Sequence, residues 1–290
     1  MDRADFLIEK RLRELNPELH KRFSDTVLSL LHLLSKYEEI FPDYTDHSEM
    51  HALAVIDFCN TLIGPERIKQ MNADELYVLL MGCYFHDVGM GTSEKDLEEF
   101  NSQIDMGDFL ETHDPKDRAQ MVRCFHHEYS GRFLKKYADI FDFPSEEHTF
   151  AIIQIARGHR KTDLFDEEEY PESMTMDSGN SVCVPYLAAI LRLADEIDVA
   201  ADRNLAPLYD ISAISDPHQI FEFKKHEAVR RVDITDDAFT LIVKTEDEKV
   251  YDGILELAGK MRSTLDYCVK VAEKRTPWTI TQREVLLRRE

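Results

Sequence analysis

The stretch "YVLLMGCYFHDVGMG", residues 77–91, decides the fold of this chain, because it is an apolar run that ends in an adjacent imidazole and carboxylate. Upstream, Asn72 and Glu75 have the spacing of a capping box, which predicts a helix over residues 73–87. A buried His86 or Asp87 without a polar partner would cost several kcal/mol. These two side chains must therefore be hydrogen-bonded within the core or bound to a metal ion.

A second His-Asp pair in the same chain serves as a comparison. His113-Asp114 lies in "ETHDPKD", a polar segment in which Pro115 follows at once. This pattern predicts a solvated turn before the next helix. The dipeptide alone therefore indicates nothing about chemistry, and the buried setting of His86-Asp87 is what distinguishes it.

Composition and charge limit the classes of partner. The chain of 290 residues is 43% hydrophobic and has a formal net charge of −22, which argues against a nucleic-acid duplex as main partner. A small phosphorylated ligand held by a metal remains compatible with that charge. The five cysteines form no CxxC pair and read as reduced core residues. Without an apolar run of about 20 residues, and with a charged N-terminus, the sequence predicts a soluble cytoplasmic protein with no membrane partner.

The spacing of apolar residues predicts a mainly α fold. Positions three and four apart dominate, and the predicted helices cover residues 3–15, 18–37, 46–63, 73–87, 116–141, 146–158 and 184–203. An acidic loop is predicted at 166–181.

Past residue 204 the apolar positions alternate, which predicts a small β hairpin or three-stranded sheet over about 207–248. A helix over 252–274 and a short strand near 278–280 are predicted to follow. We therefore expect a helical domain at 1–203 with its core at about 40–203. A β insertion at 204–250 and a C-terminal helix and tail at 251–290, packed on the same domain, would complete it.

Polar residues interrupt several of the apolar helices. Any one of these histidines would be explained as a hydrogen-bonded core residue, and Asp195 by a salt bridge to Arg192 or Arg203. Their recurrence on separate helices favours a shared site, since imidazole and carboxylate suit Fe, Mn, Zn, Co or Ni. An aspartate can also bridge two cations, as in two-metal sites that act on phosphoesters. The residues concerned are His51, His86-Asp87, His127, His159 and Asp195.

The order of these residues resembles the H…HD…D signature of the HD-domain metal-dependent phosphohydrolases. The matching contexts are "HALAV" from His51, "LLMGCYFHDVGMG" around His86-Asp87 and "LRLADEID" around Asp195. The resemblance covers roughly residues 40–203. It implies an all-helical fold in which these four residues bind a divalent transition metal. Fe, Mn, Ni or Zn would be the ion, with Mg as an alternative.

Two further segments resemble parts of binuclear HD members. "HHEYSG" resembles a His-Glu-x-x-Ser unit that places a histidine over the metal, and His127 takes that position. "IIQIARGH" resembles the helix that contributes a second-metal histidine, here His159. The chain departs from the pattern where Arg160 follows, since several binuclear members have a second histidine there. One ion and two ions both remain open; with one, His127 and His159 would hold phosphate or donate protons.

Three more residues are candidates for substrate binding. His47 lies in "TDHSEMH", which resembles a subgroup of HD domains found beside chaperone-like ATPase modules, and it either lines the pocket or caps its helix. Arg160 and Lys161 would bind a substrate phosphate, or they are cations at a solvated helix end.

The resemblance implies hydrolysis of a phosphoester or phosphoanhydride, with a nucleotide or cyclic dinucleotide as substrate and metal-activated hydroxide as nucleophile. Asp87 would orient that nucleophile, and His127 would stabilise charge or protonate the leaving group. The alternative is a non-catalytic, metal-containing sensor or interaction domain that regulates a partner protein. A homo-oligomer is also compatible with the sequence.

We predict that changing both His113 and Asp114 to alanine leaves metal content and any phosphoester hydrolysis nearly unchanged, because that pair lies in a solvated turn. Elemental analysis and a hydrolysis assay measure the two quantities, with Asp87→Ala as the comparison. A loss equal to that of Asp87→Ala would show that the wrong His-Asp pair had been chosen.

Overall fold

The structure is a computed structural model that describes residues 6–34, 49–114, 117–200 and 217–290. Helices dominate it and β structure is limited to two small sheets, so the predicted mainly α class is confirmed. The helices are α1 (Leu7–Leu15), α2 (Pro17–Leu34), α3 (Glu49–Ile63), α4 (Pro65–Gln70), α5 (Ala73–Phe85), α6 (Glu94–Asn101), α7 (Gly107–Thr112), α8 (Arg118–Tyr137), α9 (Glu146–Gly158), α10 (Val184–Ile197), α11 (Pro217–Ala228) and α12 (Glu248–Arg275). Short 3₁₀ turns follow α5 and α8 at Val88–Gly91 and Ala138–Ile140.

Helix α5 is the centre of the molecule. It begins at the predicted capping box, in which the Asn72 side chain accepts from the Glu75 backbone N–H and the Glu75 side chain accepts from that of Asn72. Nearly every residue of α5 is buried, and the helix contacts α1, α2, α3, α9 and α10. A helix that is apolar all round is stable only when other elements surround it, which explains why the chain wraps around α5.

The predicted helices correspond to α1, α2, α3, α5, α8, α9, α10 and α12. Three short helices, α4, α6 and α7, lie where no helix was predicted. The starts of the predicted segments at 3–15, 46–63 and 116–141 lie outside the described residues, as do the ends of the segments at 18–37 and 184–203 and the first part, 207–216, of the predicted β segment. Within the described ranges, no helix combines the length and apolar character needed to cross a membrane.

The C-terminal β region differs from the prediction in two respects. Residues from Pro217 to Ala228 form helix α11, although "QIFEF" reads as a strand. The reason is tertiary: Phe221 and Lys225, one helical turn apart, both pack over Gly253 of α12, where a Cβ atom would overlap them. Helical spacing places both side chains on the same neighbour, and strand spacing would not.

The second difference concerns the third strand of that sheet. Strands β3 (Val229–Ile234) and β4 (Ala238–Val243) form the predicted antiparallel hairpin. The strand beside β4 is β5 (Glu284–Arg289), which pairs parallel to it, rather than a strand at 278–280. The C-terminal tail therefore completes the sheet that the β3–β4 hairpin begins. A separate two-stranded ribbon, β1 (Met174–Thr175) with β2 (Ser181–Val182), forms in and at the end of the segment predicted to be an acidic loop, 166–181.

The turn after α5 fits closely against helix α8. The Ser130 hydroxyl accepts from the Gly89 backbone N–H at 2.8 Å and donates to the His86 carbonyl at 2.6 Å. A Cβ atom on Gly89 would overlap the His126 carbonyl and the Ser130 backbone nitrogen, neither of which can move away easily. Glycine is therefore required for the turn that holds His86-Asp87 against α8.

We predict that Gly89→Ala lowers the free energy of unfolding by about 1–3 kcal/mol, because overpacking against backbone atoms forces the turn and α8 apart. The matched control is Gly259→Ala in α12, where an added Cβ meets nothing within 4 Å. Because alanine is the better helix former, the control should gain about 0.5–1 kcal/mol. Urea unfolding of the two variants measures both, and equal effects would contradict the close packing of Gly89.

Candidate metal centre

The first group of ligand atoms lies where α3, α5 and α10 meet. His51 Nε2 is 3.0 Å from His86 Nε2 and 3.4 Å from Asp87 Oδ2. His86 Nε2 is 3.3 Å from the same Asp87 oxygen. These three residues are buried, and their ligand atoms lie within 4.8 Å of one another. Asp195 Oδ1 approaches from α10, 3.4 Å from His51 Nε2 and 3.7 Å from His86 Nε2.

The second group lies beside the first and shares one residue with it. His126 Nε2 is 2.9 Å from His159 Nε2 and 3.3 Å from Asp87 Oδ1. His159 Nε2 is 3.7 Å from that same oxygen. Asp87 therefore turns Oδ2 toward one histidine pair and Oδ1 toward the other. A carboxylate in this position can bridge two cations.

The outer nitrogens of the four histidines all face hydrogen-bond acceptors. His86 Nδ1–H donates to the Cys83 carbonyl at 2.8 Å, and His51 Nδ1–H donates to Asp198 Oδ2 at 2.7 Å. His126 and His159 donate in the same way to the carbonyls of Arg123 and Ala156, at 3.0 and 2.5 Å. A neutral imidazole that uses Nδ1 as a donor has a lone pair on Nε2.

The Nε2 atom of each neutral ring is therefore a hydrogen-bond acceptor, and at the centre of the site it faces other acceptors. When the rings are neutral, two Nε2 lone pairs about 3 Å apart, with a carboxylate oxygen beside them, cannot hydrogen-bond to one another, so either a proton on one ring or a metal ion between the groups is required. A cation between them removes the repulsion, and neutral imidazole nitrogen with carboxylate oxygen is a donor set for first-row transition metals. The residues therefore fit a metal in each group.

The pKa directions agree with a site that attracts positive charge. Burial by itself raises the pKa of Asp195, but hydrogen bonds from His51 and His86 hold it well below its usual value. Burial likewise lowers the pKa of His86 by itself, whereas Asp87 and Asp195 raise it well above the usual value. At His159 the nearby carboxylates do not outweigh the effect of burial on the pKa. Its burial, with His86 and His126 nearby, lowers its pKa well below the usual value and keeps the ring neutral.

The position over the cluster that the resemblance gave to His127 is occupied by its neighbour His126. His126 lies one turn before Ser130, which bonds the His86 carbonyl, so both project from the same face of α8. His127 is buried on the adjoining face, with its ring centroid 6.3 Å from that of His159. Burial lowers the pKa of His127 to about 3, with His126 acting in the same direction, so its ring is neutral.

Asp198 is a second residue that the sequence reasoning missed. It is buried and holds His51 in orientation through the 2.7 Å hydrogen bond to Nδ1. A carboxylate behind a ligand histidine fixes its tautomer and makes it a stronger ligand. The available signal was its place in "DEID", three residues after Asp195 and directly after the last residue of the same helix.

Arg192 does not pair with Asp195, which was one alternative for that carboxylate. Its guanidinium donates to the Gly158 carbonyl at 2.6 Å and to the Thr162 carbonyl at 2.8 Å. Arg192 thereby clamps the turn that contains His159. The other suggested partner, Arg203, lies outside the described residues.

The remaining candidates lie at the edge of the site or away from it. Lys161 is exposed and Arg160 is half-buried, both directly after His159. His47 lies outside the described residues. The comparison pair His113-Asp114 belongs to neither ligand group, and the His113 ring stacks on Phe109 with centroids 4.6 Å apart.

A mainly helical domain that gathers imidazoles and carboxylates from separate helices around a His-Asp pair is the class of protein called an HD domain. The family model named HD-CE matches residues 41–277, and the chain belongs to this family. The match covers the candidate ligand residues, the β3–β4 hairpin and helix α12. No curated protein matches the chain.

We predict that Asp198→Asn lowers metal affinity by about 10–100-fold, because His51 loses the carboxylate that orients it. The matched control is Asp57→Asn, a half-buried carboxylate on the same helix as His51 that belongs to neither ligand group. Competition with a chromophoric chelator measures both affinities. Equal affinities in the two variants would show that Asp198 does not act through His51.

Proposed function

We propose that this chain is a metal-dependent phosphohydrolase whose centre holds two divalent transition-metal ions. The observation that carries the proposal is the position of Asp87, whose two oxygens each face a separate histidine pair. A purely structural domain does not require a buried carboxylate shared by four imidazoles, since burying a charge costs free energy unless the charge is compensated.

The residues divide between the two sites. His51, His86, Asp87 and Asp195 would hold one ion, and Asp87, His126 and His159 would hold the other. The excess of imidazole favours Fe, Mn, Ni or Zn, whereas Mg prefers oxygen ligands. When bound, such ions activate water for attack on phosphorus and offset the charge that develops in the transition state.

The protein's own contribution is the orientation of these groups. Three histidines donate Nδ1–H to the carbonyl three residues earlier, and Asp198 accepts from the fourth, so every Nε2 is directed inward. Because these bonds already fix the rings, binding of a metal ion would cost little side-chain freedom. Arg160 and Lys161, next to His159, would be the cations that contact a substrate phosphate. In an acidic chain these cations favour a small phosphorylated substrate over a duplex.

The alternative function is a non-catalytic HD domain in which the metal serves structure or sensing. Both functions require metal, so the discriminating measurement is turnover. We expect the metal-loaded protein to hydrolyse at least one member of a panel of nucleoside triphosphates, nucleoside monophosphates, cyclic dinucleotides and aryl phosphates. Metal binding without turnover across the whole panel would favour the sensor.

We predict that purified protein contains roughly two first-row transition-metal ions per chain, and that Asp87→Ala abolishes hydrolysis and lowers the content of both ions, because this carboxylate faces both groups. Asp195→Ala should lower the content of one ion and leave the His126–His159 ion. Elemental analysis with an activity assay measures these effects. A protein that contains no such metal, and gains none on reconstitution, contradicts the proposal.

We predict that a chelator lowers the melting temperature of the wild-type protein by several degrees, because ions that bind only the folded state stabilise it. The melting temperature of Asp87→Ala should fall much less, since little metal is left to remove. Thermal unfolding with and without chelator measures the difference. Equal shifts in the two proteins would indicate that Asp87 is a hydrogen-bonded core residue and not a metal ligand.

A further inference from the structure

The candidate metal centre is open to solvent at the end of helix α10. Among the candidate ligand residues that the structure describes, Asp195 has the most exposed side chain, at 17%, whereas the side chains of the others are exposed by 7% or less. Helix α10 is buried at every residue except Asp195 and Glu196, which follow one another. A substrate would therefore reach the centre past these two side chains.

A lysine of the C-terminal helix stands at this opening. Helices α10 and α12 pack against each other, and Lys260 Nζ of α12 lies 3.0 Å from Glu196 Oε1 of α10. The Glu196 side chain is 13% exposed and the Lys260 side chain 59%, so the ammonium group lies on the solvent side of the carboxylate. Because Glu196 is the next residue after the ligand Asp195, this ion pair borders the opening of the centre.

Arg160 is a second cation near the same carboxylate. Burial raises the pKa of Glu196, and the neighbouring Asp195 acts in the same direction. Lys260 and Arg160 both oppose that rise, so both lie close enough to Glu196 to interact with its charge. Arg160 directly follows His159, a residue of the second ligand group. The opening is therefore bordered by cations from two separate parts of the chain, helix α12 and the turn after α9.

The carboxylates around the centre explain why cations at the opening matter. Four carboxylates lie at the centre or beside it, and their charge would balance that of two divalent ions; they belong to Asp87, Asp195, Glu196 and Asp198. With a balanced centre in a chain of net charge −22, the attraction of a phosphate from solvent depends on cations at the opening. An ammonium group has three donors, so Lys260 can bond to Glu196 and still donate to a phosphate oxygen.

We propose that Lys260 binds the phosphate group of the substrate at this opening, and that Glu196 is a positioning residue that holds the Lys260 ammonium group in place. This inference rests on the proposed function and adds a substrate-binding residue from outside the helices that hold the candidate ligands. Lysine suits this role, because its compact charge on a flexible stem can follow a phosphate into the centre. Helix α12 would then contribute directly to substrate binding.

The test is calorimetric titration of the metal-loaded full chain with inorganic phosphate, with the metal content of each variant measured by elemental analysis. Lys260→Met keeps an unbranched side chain and removes the charge, so phosphate should bind about 10-fold more weakly, the effect of losing one hydrogen bond between charged groups. Lys260→Arg keeps the charge and should stay within about 3-fold of the wild-type affinity. Lys270→Met, at an exposed lysine about 15 Å further along the same helix, is the matched control and should change neither affinity nor metal content.

A double variant separates a contact with phosphate from mere neutralisation of Glu196. Glu196→Gln removes the carboxylate and nearly keeps its shape. On that background Lys260→Met should still weaken phosphate binding, because the ammonium group contacts the phosphate, but by less than in the wild type, because nothing holds the ammonium group in place. No loss on that background would mean that Lys260 only offsets the charge of Glu196. An undiminished loss would mean that Glu196 does not position it, and either result overturns the proposal.

The outcomes also separate this inference from the proposed function. Equal phosphate affinity in the wild type and Lys260→Met, or no binding of phosphate by the metal-loaded wild type, overturns the inference while metal content and turnover stand. Loss of metal in Lys260→Met also overturns it, because the lysine would then act through the ligand Asp195 and not on the phosphate. A wild-type protein without metal or turnover contradicts the proposed function instead, and both quantities are measured without any change at Lys260.

Discussion

The fold depends on placing one carboxylate, Asp87, among four imidazoles in the interior. Each oxygen faces a separate pair of rings, within 3.3–3.7 Å of their Nε2 atoms. No single helix can provide such surroundings, because side chains on one helix diverge around its axis. The surrounding histidines come from α3, the end of α5, the middle of α8 and the end of α9. The helices must therefore pack in the arrangement that brings these four side chains together around Asp87.

A repeated local device directs three of the rings. His86, His126 and His159 each donate Nδ1–H to the carbonyl three residues earlier in their own helix. At the ends of α5 and α9 this bond also satisfies carbonyls for which the helix has no further amide. The helix end is thereby capped, and Nε2 is directed away from the backbone toward the cluster. His51, in the first turn of α3, uses Asp198 instead.

The centre is also stabilised from outside the ligand set. Arg192 holds the turn after α9 through two carbonyls, and its guanidinium lies 4.9 Å from the ring centroid of Tyr267 in α12. The Tyr267 hydroxyl in turn accepts from the Leu164 backbone N–H at 2.7 Å. The C-terminal helix thus supports the segment that contains His159, Arg160 and Lys161. The family match, over residues 41–277, likewise includes this helix.

The sequence by itself determined the features that rest on local chemistry. The capping box at Asn72, the apolar helix that ends in His86-Asp87 and the mainly α class all follow from spacing and residue type. The tertiary structure alone shows that His126 and not His127 lies beside Asp87, since adjacent helical residues point about 100° apart and the neighbouring helices determine which one faces that carboxylate. It also decided that Asp198 supports His51 and that β5 joins the hairpin, because both pairings join residues far apart in the chain. Local pattern does not encode such contacts, which form only where packing brings the elements together.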